Sequence, residues 1–215
     1  MKRVSLARAA FAATIFALAL SVASQAQVGR SLGVIDPNVA VEKDLLALPN
    51  MTPAIVKAMI EKRPFMGPLE LNAFLQSQSL TTAQIADFYG KAFIAINLNT
   101  ATREEILLVP GAGNRMAREF AEYRPWKTYA QFDKEISKYV GAQETARLAQ
   151  YTFIPVNLNT ATDADILSIP GAGNRMVREF KEYRPWKTKA QFDKEISKYV
   201  GEKETARLWR YVTIE

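Results

Sequence analysis

The chain has 215 residues, 48% of them apolar and 23% charged, a balance that excludes collagen-like, low-complexity and wholly disordered chains. Cysteine and histidine are both absent, which excludes a disulfide framework, a zinc site of the usual ligands, and Ser-His or Cys-His catalytic pairs. The 28 basic and 22 acidic residues give a net charge of +6, which is compatible with a polyanionic partner.

The chain opens on Lys2, Arg3 and Arg8, followed by an apolar run from Ala9 to Val22. At about 14 residues this run is shorter than the roughly 20 a membrane-spanning helix needs, and it suits the apolar core of a signal peptide. Ser24-Gln25-Ala26 places small residues before a cleavage point at Gln27. The expectation is a signal peptide over 1–26, cleaved near Ala26, and an exported, periplasmic chain; an uncleaved N-terminal anchor or an amphipathic helix is the other reading. Removing 1–26 takes away three positive charges and no negative ones, which lowers the net charge from +6 to +3. An oxidising compartment also agrees with the absence of cysteine.

After a tail over 27–34, the chain repeats. Residues 96–155 and 156–215 align without a gap, and sixteen of the 60 positions differ. A divergent copy lies upstream at 35–95. There Ile35, Asn38, Leu45, Pro49, Arg63, Pro64 and Leu71 match Ile96, Asn99, Ile106, Pro110, Arg124, Pro125 and Phe132. The pattern predicts three tandem units of about sixty residues.

In the middle copy, Thr102 and Glu105 form a capping box that opens a short helix to Leu108, with Ile106, Leu107 and Val109 available for burial. Pro110-Gly111-Ala112-Gly113 breaks that helix. Asn114 is the expected N-cap of the next, whose stripe of Met116, Ala117, Phe120 and Tyr123 ends at Arg124-Pro125. Thr128 and Gln131 read as a second capping box before Phe132 and Ile136. A turn at Val140-Gly141 then leads to a fourth helix over Glu144–Tyr151, with Ala146 and Leu148 facing inward. The fold class is all-α, with two helix-turn-helix hairpins per unit. Extended stretches are expected only at Phe153-Ile154 and Asn97-Leu98-Asn99.

A pattern L-x-x-P-G-h-G-x-[KR]-x-A-x-x-h runs through Leu107, Pro110, Gly111, Gly113, Arg115, Ala117 and Phe120. It recurs at Leu167, Pro170, Gly171, Gly173, Arg175, Val177 and Phe180, and it resembles the helix-hairpin-helix motif. With the flanking N-x-N-T-A-T and Y-R-P-W segments, the chain resembles exported ComEA-type proteins, which bind double-stranded DNA during bacterial transformation. The resemblance covers 96–215 well and 35–94 weakly. It implies a role in DNA uptake and no enzymatic activity. Arginine stands where related glycosylases place a catalytic lysine, and no Gly-Pro-Asp element follows.

The chemistry of the hairpin has its own physical basis. A tight turn between helices uses glycine for backbone at positive φ and for close approach of a ligand. The following helix begins with backbone N–H groups lacking intrahelical partners and with the positive end of its dipole, which together receive phosphate without reading bases. The expected DNA-binding residues are Gly111, Ala112, Gly113, Asn114, Arg115 and Arg118, and Gly171, Ala172, Gly173, Asn174, Arg175 and Arg178. The two near-identical copies are expected to act together on one duplex. No cofactor, metal, catalytic residue or small-molecule substrate is expected.

The first copy departs from this pattern. Pro49-Asn50-Met51-Thr52 replaces Pro-Gly-Ala-Gly, and Pro53-Ala54 replaces Asn-Arg. Asn50 can adopt left-handed geometry, so the turn is expected to survive while the phosphate site is lost. This copy is expected to cap the array or to contact an envelope protein. Trp126, Trp186 and Phe65 are expected to pack between hairpins, and Asn97, Asn99, Asn157 and Asn159 to order the linkers. The competing reading of the whole chain is a structural or docking module of the envelope that does not bind DNA.

Overall fold

The computed structural model describes residues 33–215; the expected signal peptide and all but the end of the tail lie outside them. The first copy contains α1 (Glu42–Leu46), α2 (Pro53–Lys62), α3 (Pro68–Ser77) and α4 (Thr82–Tyr89). The middle copy contains β1 (Ile96–Asn97), α5 (Arg103–Leu107), α6 (Asn114–Glu122), α7 (Tyr129–Ala149) and β2 (Thr152–Phe153). The last copy contains β3 (Val156–Asn157), α8 (Asp163–Leu167), α9 (Asn174–Glu182), α10 (Lys189–Trp209) and β4 (Val212–Thr213). The described chain is therefore mostly helical. In α7 and α10 the helix kinks at Gly141 and Gly201, whose φ of +77° with an extended ψ suits glycine alone, so each is two helices meeting at a turn.

The short strands close each copy on itself. Ile96 and Asn97 pair in parallel with Thr152 and Phe153, and Val156 and Asn157 pair with Val212 and Thr213. In the first copy a single bridge joins Ile35 to Ala92. The extended stretches expected near 97–99 and 153–154 are thus real, begin one residue earlier, and serve as entry and exit of the same copy.

Capping accounts for most helix starts. Thr81 with Gln84, Thr102 with Glu105, and Thr162 with Asp165 form complete capping boxes. At Thr128 only half the expected box forms. The Thr128 hydroxyl accepts from the Gln131 N–H, but the Gln131 carboxamide accepts from Lys127 N at 3.0 Å, one residue too early to close it.

The four-residue run Asn-Leu-Asn-Thr is tied to the Arg-Pro-Trp turn 27 residues later. The Asn99 carboxamide accepts from the Trp126 N–H at 2.6 Å and donates to the Trp126 carbonyl at 2.9 Å. Asn159 holds Trp186 in the same way, and Asn38 holds Phe65. Arg124 donates to the carbonyls of Leu98 and Ala101, both at 2.7 Å, and burial lowers its pKa from the ordinary value. The indole N–H of Trp126 donates to the Phe120 carbonyl at 2.8 Å. Trp126 and Trp186 are buried, as expected of packing residues, and burying such a ring contributes about 2–3 kcal/mol.

The apolar interior has two parts. One runs from Leu45 to Ile154 and joins the first and middle copies; the other gathers the last copy around Phe153, which the middle copy contributes. Phe93 of the first copy meets Tyr151 edge-on at 5.3 Å. The first copy also touches the last, where the Tyr211 hydroxyl donates to Asp36 at 3.2 Å.

Candidate nucleic-acid interface

The turn between α5 and α6 is built on Gly111, at φ +77°, and the equivalent turn between α8 and α9 on Gly171, at φ +79°. Asn50, which replaces this glycine in the first copy, adopts φ +62°, so the turn survives there as its residue type predicts. A Cβ on Gly111 would lie 2.6 Å from Nη2 of Arg147. That arginine reaches across from the end of α7, donates to the Pro110 carbonyl at 2.5 Å, and pairs with Glu144 at 2.6 Å. Arg207 and Glu204 do the same for Pro170, with Arg207 fully buried. These residues, which sequence reasoning passed over within the repeated Glu-Thr-Ala-Arg-Leu, tie the second hairpin to the first in the middle and last copies. Their recurrence in both copies was the available signal.

Asn114 is the first residue of α6 and not its cap. Gly113 is the N-cap, in extended backbone, and no side chain caps the helix. The same holds for Gly173 and α9, with Asn174 the first helical residue. The space around Gly113 and Gly173 is open, with nothing within 4 Å of an added Cβ. The first copy differs chemically at this point. Thr52 accepts from Ile55 N at 3.3 Å, so the start of α2 satisfies itself. Two nine-residue helices therefore present uncapped N-termini, and the third corresponding helix does not.

The buried side of α6 consists of Met116, Ala117, Glu119 and Phe120, with Ile106, Val109 and Ala112 packed beneath. Leu107, expected among the buried residues, is 38% exposed, because the one-and-a-half turns of α5 turn only Ile106 inward. Of the two residues expected to face inward at the end of α7, Leu148 is buried and Ala146 half-buried, and Ala149 is buried beside them.

Arg115 and Arg118 lie on the exposed side of α6, and Arg175 and Arg178 on that of α9. The Arg115 guanidinium sits 4.8 Å from the centre of the Tyr139 ring, and that of Arg175 sits 4.9 Å from Tyr199. The Tyr139 hydroxyl is 2.8 Å from that of Tyr123, and this bond, then desolvation and a bond to Glu119, raises the Tyr139 pKa, so the phenol keeps its proton. Glu119 and Glu179, acids that share a helix with the arginines, are thus buried beside the tyrosine pairs and withdrawn from the exposed side. Arg118 and Arg178 have no ion pair among the described residues.

Each predicted set is therefore gathered around one helix start. Gly111, Ala112, Gly113, Asn114, Arg115 and Arg118 surround the start of α6. Gly171, Ala172, Gly173, Asn174, Arg175 and Arg178 surround that of α9. Ala112 and Ala172 are buried and anchor the turns from within. No hydrogen bond or ion pair joins the two sets among the described residues. The arrangement offers backbone N–H groups, a helix dipole and two exposed guanidinium groups to an anion, with no titrating acid or base in the middle of it. Among the described residues no cluster of acidic side chains is placed to hold a metal ion, and no helix is long and apolar enough to cross a membrane. No protein-family model, curated protein or solved structure matches the chain.

Proposed function

We propose that this chain is an exported, non-enzymatic protein that binds double-stranded DNA without regard to sequence. Its three copies act as tandem helix-hairpin-helix units, and it serves in DNA uptake as the ComEA resemblance implies. The observation that carries the reading is the contrast at the helix starts. Where the Pro-Gly-Ala-Gly turn is intact, the helix start is uncapped and flanked by exposed arginines, one of them stacked on a tyrosine. Where the turn has diverged, a threonine fills the site and the arginine is gone. Phosphates are the ligand that this chemistry fits, and it offers nothing to base edges.

A salt titration tests the reading. Fluorescence anisotropy with two unrelated duplexes of equal length should give equal affinities. If about three phosphates are neutralised, log K should fall against log salt with a slope of roughly −2.7. A flat salt response, or a tenfold preference for one duplex, refutes it.

A second role, docking of an envelope protein through the first copy, has its own support. Of the eight large apolar residues that stand exposed among the described residues, Val39, Val41, Leu46, Ile60, Met66 and Leu69 lie in that copy. The two roles are compatible, since the first copy has no phosphate site to offer.

A further inference from the structure

Only sixteen positions separate the middle and last copies, and the one at Arg103 changes the charge that stands beside the hairpin. Arg103, the first residue of α5, is exposed and donates to the Asn114 side chain at 2.6 Å. Asn114 opens α6, so this hydrogen bond places the guanidinium next to the uncapped helix start. Arg103 has no carboxylate partner among the described residues. In the last copy the same position is Asp163, an exposed carboxylate paired with Lys181 at 2.6 Å. Lys181 itself stands where the middle copy has Ala121, so an unpaired cation beside the middle hairpin is replaced by an ion pair at the last.

A second difference is steric. A Cβ on Gly171 would meet Cγ1 of Val39, from the first copy, at 2.8 Å. Val39, Ala40 and Asp44 face Ser168 and Pro170 across a cleft of about 380 Å³. The shoulder of the last hairpin is therefore flanked by a stretch of the first copy that carries the exposed Asp44. At Gly111 the nearest atoms belong to Arg147 and Glu144 of its own copy.

We propose that the two hairpins are unequal: the middle one receives the DNA phosphate, and Arg103 is a further phosphate-binding residue there, while the last one contributes little. This rests on the DNA-binding reading above and departs from the equal partnership that the near-identity of the copies suggests. A carboxylate already paired with a lysine offers a phosphate none of the attraction that the unpaired guanidinium of Arg103 does, and the flanking stretch hinders a duplex from settling on the last turn.

Substitution in the full chain tests this, with circular dichroism confirming that the exposed replacements leave the helices intact. Arg115 and Arg175 have matching geometry, so their comparison isolates the hairpin they serve. Arg115→Gln should weaken duplex binding by about fivefold to tenfold, and Arg175→Gln by less than about twofold. Arg103→Gln should match Arg115→Gln in affinity and flatten the salt slope by about 0.9, the signature of one lost phosphate contact. Equal losses at 115 and 175, or an unchanged slope in Arg103→Gln, overturn the proposal and leave the DNA reading standing. A wild-type chain that binds no duplex overturns both.

Discussion

Asn99 does the work of a clasp between two stretches of chain that have no regular structure. Both halves of its carboxamide are spent on the backbone of Trp126, and the same pairing recurs at Asn159 with Trp186 and at Asn38 with Phe65. Replacing the side chain leaves a donor and an acceptor unpaired next to a buried indole. Asn99→Ala should therefore cost about 2–4 kcal/mol in chemical denaturation. Asn99→Asp, which keeps the acceptor and loses the donor, should fall between that and the wild type. A loss below about 0.5 kcal/mol for Asn99→Ala would show that the clasp carries little. The linking role of these asparagines was legible from their composition, since short polar side chains order turns. Their partner was not, because no local pattern connects residues 27 apart. Arg147 is a parallel case: its repeat marked it, but only the fold brings it to the Pro110 carbonyl.

At the scale of the element, the hairpins show where residue type suffices and where it does not. Asn50 takes the left-handed conformation its chemistry allows, and Thr102 and Glu105 form the box their spacing announces. The start of α6 shifts by one residue: asparagine is the stronger cap by residue type, yet Gly113 takes that place, and a boundary is legible from sequence only to within a residue or two. That shift matters, since it leaves the helix without a side-chain cap. Gly113 has φ −91° and open space around it, so a side chain fits there without strain. Gly113→Ser should let a hydroxyl accept from the α6 amides, as Thr52 does in α2, and raise stability by a few tenths of a kcal/mol. Thermal denaturation measures this, and a fall of 1 kcal/mol or more would mean the turn is more constrained than its geometry indicates. Gly111 offers no such freedom, because its positive φ and the guanidinium of Arg147 both exclude a side chain.

For the whole molecule, the sequence repeat predicts three copies of similar length but says nothing of which copies share an interior. The first and middle copies are joined in one apolar cluster while the second holds the last copy with Phe153 of the middle one, and residues joining the first cluster, such as Phe93, come from the copy that diverged most. Two cooperative blocks follow from this division. Phe120 and Phe180 occupy equivalent buried positions, and truncating either to alanine should cost about 3–5 kcal/mol. Phe180→Ala should lower the melting of the last copy alone and split the calorimetric transition. Phe120→Ala should bring down the first and middle copies together. A single transition of unchanged shape in Phe180→Ala would show that the two interiors unfold as one.

The central claim for the molecule is that uncapped hairpin helices receive DNA phosphates, and the double variant Gly113→Ser/Gly173→Ser addresses it with the fold left in place. Its duplex affinity should be measured beside the wild type across a range of salt. The account predicts melting at or above that of the wild type, binding weakened by about tenfold, and a flatter salt slope, because the introduced hydroxyls occupy the amides that phosphates would otherwise meet. Equal affinity and equal slope in a variant that melts no lower than the wild type would contradict it.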